Sequence, residues 1–122
     1  MHLAAKILSS FTSLIVLTNG AAACGVDTDC DIETGGYPEF NAQATPNGAL
    51  IFAHGYRGNA QGAVRNRSLR AVAKEKGITL VALQSLGDNW SIPNVPKQNS
   101  SVTRDESTFL KFVIGDLDSR FA

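Results

Sequence analysis

The chain predicts an α/β domain, and three observations carry that reading. Ala49-Leu50-Ile51-Phe52-Ala53 and Ile78-Thr79-Leu80-Val81-Ala82-Leu83 are continuous apolar runs of strand length, not alternating ones. Between them lies a stretch of helical periodicity that closes at Gly77, and a second helical stretch follows Thr103. Strands that are apolar on both faces belong to parallel sheets with helices on each side. The order strand, loop, helix, strand, loop, helix opens a doubly wound domain.

Met1 to Ala23 reads as a secretory signal peptide: Lys6, a mostly apolar Ile7–Leu17 stretch, a Thr18-Asn19-Gly20 break and the small residues Ala21-Ala22-Ala23. The apolar core is shorter than the roughly 20 residues of a membrane span. A buried N-terminal helix is the plainer alternative. Cleavage after Ala23 makes the product secreted or periplasmic and leaves Cys24 first. Lipid anchoring through Cys24 is then one reading, although Ala21 stands where a large aliphatic residue is usual. A Cys24–Cys30 disulfide is the other, favoured by an oxidising compartment. A metal site at these cysteines lacks a nearby histidine.

The 122 residues hold one domain at most, residues 24–122 after the leader. Formal net charge is zero, and no basic patch with interleaved aromatics is present, so nucleic acid is not an expected partner. Asp27, Asp29, Asp31 and Glu33 make an acidic N-terminal arm. Their spacing misses the glycine and the terminal glutamate of an EF-hand loop. A weak edge strand is expected around Tyr37–Phe40, demoted by Pro38, and Thr45-Pro46-Asn47-Gly48 is a turn.

Helical character begins between Ala63 and Ser68. Leu69, Val72 and Ala73 form the inward stripe, and Arg67, Arg70, Lys74 and Glu75 face out. Gly77 suits a left-handed cap after Lys74 and Lys76. Gln84–Ser101 is a long loop carrying Trp90, the only tryptophan. Thr103 and Glu106 fit a capping box. The helix after it places Phe109, Phe112, Val113 and Leu117 on one stripe, with Asp116 and Arg120 outside it.

Phe52-Ala53-His54-Gly55-Tyr56-Arg57-Gly58-Asn59 carries the chemistry. A buried strand runs into His-Gly-x-x-Gly. In α/β-hydrolases, which this segment resembles, the loop after such a strand supplies one of the two backbone N–H donors that stabilise the oxyanion of acyl transfer. Glycine lets the backbone turn sharply and approach a carbonyl. The donor is expected at Tyr56, with His54, Gly55 and Gly58 supporting the loop. His54 as a purely structural strap is the plainer reading, and its position excludes it as general base. Trp90 lines an acyl site or simply packs.

With these residues in view, the chain resembles the secreted polyhydroxybutyrate depolymerase and feruloyl-esterase-like branch of the α/β-hydrolases. The match runs through Cys24 and Cys30, Gly35-Gly36-Tyr37, Ala49 to Asn59, Arg65-Asn66, Gly77 to Ala82, Trp90, and Arg104-Asp105-Glu106 with Phe109. Pro38 departs from it. The resemblance implies cofactor-free hydrolysis of an ester by a Ser-His-Asp triad. The substrate would be a polyester, a feruloylated polysaccharide or a small ester.

No triad can be assembled from this sequence. None of Ser68, Ser85, Ser91, Ser100, Ser101, Ser107 and Ser119 sits in Gly-x-Ser-x-Gly, and the histidines are His2 and His54. The expectation is therefore the N-terminal portion of an α/β-hydrolase catalytic domain, ending before the nucleophile elbow. Serine, aspartate and histidine are expected beyond Ala122, and the chain by itself is expected to be inactive. The alternative is a non-catalytic pseudo-hydrolase fragment that binds a partner or ligand.

Overall fold

The computed structural model describes residues 23–94 and 102–121. The signal-peptide reading, apart from Ala23, and the middle of the long loop fall outside them.

Two short strands open the fold. β1 (Cys30–Ile32) and β2 (Gly35–Tyr37) pair antiparallel, Cys30 opposite Tyr37. Pro38 cannot donate to a ladder, and the chain changes sheets there. β3 (Glu39–Asn41) pairs antiparallel with β5 (Thr79–Leu83), which pairs parallel with β4 (Ala49–Ala53). The sheet order is β3-β5-β4. The predicted edge strand is thus split at Pro38, whose own carbonyl accepts from the Ala82 N–H at 3.2 Å. The domain is α/β, but its sheet is mixed. The one parallel pair is the pair that the two apolar runs predict.

β5 is the central strand and is buried at all five positions. Its side chains alternate between two cores. Leu80 and Ala82 point to α1 (Ala60–Val64) and α2 (Arg67–Lys76), meeting Ala60, Ala63, Val64 and Ala73. Val81 and Leu83 point to α3 (Glu106–Phe121), meeting Phe109, Val113 and Leu117 together with Tyr37 and Cys30. Each large side chain so buried contributes roughly 1.5–3 kcal/mol. β4, expected to be covered on both faces and paired on both edges, has one strand partner among the described residues, and Phe52 is 37% exposed.

The helices begin where side chains can cap them. Asn59 accepts from the Gly62 N–H at 2.7 Å and starts α1; Asn66 accepts from the Leu69 N–H at 3.0 Å and starts α2. Gly77 ends α2 at φ 64°, as expected. A β-carbon there would lie 2.9 Å from both Asn47 and Gln43 side-chain atoms. Ala73 is buried and Leu69 half-buried, but Val72 is 43% exposed. On α3, Phe112 likewise leaves the expected stripe at 36% exposed, while Phe109, Val113 and Leu117, four positions apart, are buried.

Two expectations for α3 are corrected. Its cap is Asp105, which accepts from the Thr108 N–H at 2.9 Å, not Thr103. Glu106 does not reach back to Thr103. It accepts from the Ser91 N–H at 3.0 Å and pairs with Arg104 at 2.9 Å. Arg120, expected outside, grips buried Glu39 with two bonds of 2.7 Å and donates to the Tyr37 hydroxyl at 2.8 Å. That cluster ties the end of α3 to the start of β3. Beside it, Cys24 and Cys30 form a disulfide.

Candidate functional site

β4 and β5 run parallel, so the loops that follow them leave the same edge of the sheet. Ligands of open α/β sheets bind at this carboxyl edge. The two loops are stitched together by residues that the sequence reading singled out. His54 is buried, its Nδ1 lies 2.7 Å from the Gly55 carbonyl, and its Nε2 receives the Ser85 N–H at 3.1 Å. These contacts assign the proton to Nδ1, donated to Gly55, and leave Nε2 as acceptor. Among the described residues no carboxylate touches the ring.

Trp90 sits against the same histidine. Its indole N–H donates to the His54 carbonyl at 2.8 Å, and the ring centroids are 4.9 Å apart. The tryptophan therefore packs under the loop, half-buried, rather than standing free at its mouth. Arg57 holds the outer end. Its N–H donates to the Asp88 carbonyl at 2.8 Å, and its guanidinium reaches the Asp88 carboxylate at 3.4 Å. Arg57 adopts φ 57°, an uncommon conformation for a residue with a side chain. Gln84, which pattern reading missed, caps α1 from the second loop by accepting from the Ala60 N–H at 2.9 Å. No sequence signal marks it, because its role depends on β4 and β5 being neighbours.

Gly58 explains the second glycine of the pattern. A β-carbon on it would lie 2.9 Å from the His54 Cβ and 3.1 Å from the Gly55 carbonyl. Its N–H donates to that carbonyl at 2.9 Å, which closes the turn. Gly55, by contrast, has nothing within 4 Å of the same construction. Between Gly55 and Gly58, Tyr56 is 46% exposed, and no described residue accepts its backbone N–H.

Beside this loop a shallow, mostly apolar groove of about 500 Å³ lies between Phe52 of β4 and the helices α1 and α2, bounded by Phe52, His54, Gly58, Ala63 and Leu69. Among the described residues the only cluster with metal-ligand chemistry is Cys24, Cys30 and Glu39. Its sulfurs are bonded to each other and its carboxylate is held by Arg120, so it offers a cation no free ligand. No described helix is long and apolar enough to cross a membrane.

Comparison with protein-family models, with curated proteins and with solved structures found no match to this chain.

Proposed function

We propose that this chain forms the oxyanion-loop side of an exported serine ester hydrolase resembling the polyhydroxybutyrate depolymerases and feruloyl esterases. The observation that carries the reading is the N–H of Tyr56, which no described residue accepts. It lies at the carboxyl end of a strand, in a turn held rigid by His54, Gly58, Trp90 and the Arg57–Asp88 pair. A donor fixed before the reaction stabilises developing charge on a carbonyl oxygen without reorganisation.

His54 has no role as base in this scheme, because its acceptor nitrogen is taken by Ser85 N–H. A serine nucleophile, the aspartate and the histidine of the triad are assigned to sequence outside residues 24–122. Both edges of β5 are occupied, so a parallel strand that delivers the serine beside Tyr56 has for its partner the edge of β4 that no described strand pairs with. The reaction class is hydrolysis of an uncharged ester, in keeping with the apolar groove beside the Tyr56 loop.

Two measurements test the reading. The coding sequence downstream of Ala122 is expected to encode a strand and Gly-x-Ser-x-Gly within roughly 30 residues; a continuation without it rejects the proposal. Residues 24–122 alone are expected to show no turnover of a short p-nitrophenyl ester above buffer. A nitrophenol burst in proportion to protein would reveal a nucleophile within the chain and overturn the assignment.

A further inference from the structure

Three asparagines stand in the Asn-x-Ser/Thr pattern that accepts N-linked sugar in exported proteins: Asn66-Arg67-Ser68, Asn89-Trp90-Ser91 and Asn99-Ser100-Ser101. The third lies outside the described residues. The fold treats the other two very differently.

Asn66 and Ser68 are both exposed, Asn66 as the N-cap of α2 and Ser68 in its first turn. The Asn66 side chain is used at one end only. Its Oδ1 accepts from the Leu69 N–H at 3.0 Å, while no described residue takes a hydrogen bond from its Nδ2. N-glycosylation modifies Nδ2 and leaves Oδ1 a carbonyl acceptor. A sugar at this position therefore keeps the cap of α2 intact. The backbone at Asn66 is extended, φ −69° and ψ 122°, so the side chain leaves the helix before its first turn.

Asn89 is half-buried in the loop–loop seam. Its Oδ1 accepts from the Trp90 N–H at 3.0 Å; Trp90 is pinned to the His54 carbonyl, and the Ser91 N–H to Glu106. Every residue of that triplet is committed to the seam.

We propose that Asn66 is an N-glycosylation site of this protein and that Asn89 stays unmodified in the folded chain. The donor is a lipid-pyrophosphate-linked oligosaccharide. Asn66 Nδ2 bonds to the anomeric carbon, the bond from that carbon to the pyrophosphate oxygen breaks, the lipid pyrophosphate leaves, and Nδ2 gives up one proton to the transferase's base. The glycan projects from the rim of the apolar groove, where Asn66 is a lining residue. This inference rests on the export part of the proposed function and not on the ester chemistry.

The test is translation of the full 122-residue chain in the presence of endoplasmic-reticulum microsomes, in a Ser101→Ala background that silences Asn99. Protease protection reads translocation. Release by N-glycosidase in heavy-oxygen water reads which asparagine becomes labelled aspartate. The expected result is a protected chain with one glycan, label at Asn66, none at Asn89, and loss of the glycan in Ser68→Ala. That variant leaves the Asn66 cap in place. A protected chain with Asn66 unlabelled, or with label at Asn89 in its place, overturns the proposal. A chain that is not protected overturns the export reading and this proposal together, while leaving the ester reading of the Tyr56 loop to its own test.

Discussion

Close approach at single positions decides what the Tyr56 loop tolerates. At Gly58 a methyl group meets the Cβ and ring of His54 and the Gly55 carbonyl, none of which is the far end of a flexible side chain. Gly58→Ala is expected to cost about 1–3 kcal/mol, the range of core overpacking. Gly55→Ala meets nothing and is expected to cost less, with urea midpoints of the two variants as the comparison. Tyr37 governs the alkaline limit. Burial, and then its hydrogen bond to Asp116, holds the Tyr37 phenol well above its ordinary value of 10.0. The folded state thus keeps a proton that the unfolded chain releases. Its contribution is complete below about pH 10 and is lost progressively as pH rises above that value. Urea midpoints measured from about pH 8 to about pH 11 are expected to fall above pH 10, and to fall less steeply in Tyr37→Phe. Arg120→Met tests the same cluster from the other side. It strands the Glu39 carboxylate, 1% exposed, without its cation, and an uncompensated buried charge of this kind costs about 3 kcal/mol.

At the scale of elements, helix ends depend on which side chain reaches the free N–H groups. The α3 cap is the informative case. Thr103 and Asp105 both precede the helix and both suit a cap. The Thr108 hydrogen bond, first among its causes, holds the Asp105 carboxyl below its usual range. Asp105→Ala is expected to lower the melting temperature and Thr103→Ala to leave it unchanged, both read by circular dichroism. Equal melting of the two variants would return the cap to Thr103. Glu106 satisfies the capping-box pattern in sequence yet serves the Trp90 loop, since its carboxylate meets Arg104 and Ser91 instead. A local pattern identifies residue types that can cap; it does not include the competing partners that packing brings near.

For the whole molecule, the exposed flank of β4 is the dominant feature. An apolar strand with one free edge is a template for pairing with other chains. Phe52 on β4, and Leu110, Phe112 and Ile114 on α3, remain at least a third exposed. Residues 24–122 expressed alone are expected to be marginally stable, with a broad transition at low temperature and aggregation through the β4 flank as concentration rises. The check is a thermal melt with proton NMR of the soluble fraction. A sharp transition with dispersed methyl signals would show that the two cores around β5 suffice, and would favour a free-standing binding module over a part of a hydrolase.

Composition and local pattern by themselves determined the α/β class, both strands of the parallel pair and the α2 stop at Gly77. Each of these depends on residues close in sequence: apolar runs, helical spacing, a glycine at positive φ. Only the tertiary structure decided that Pro38 moves the chain between sheets, that β3 lies antiparallel on β5, and that Arg120 and Glu39 meet across 81 positions. It also decided that Trp90 supports His54 from below. These outcomes rest on contacts between distant segments, where burial selects one partner among many of the same chemical type. A one-dimensional pattern records the type and not the choice.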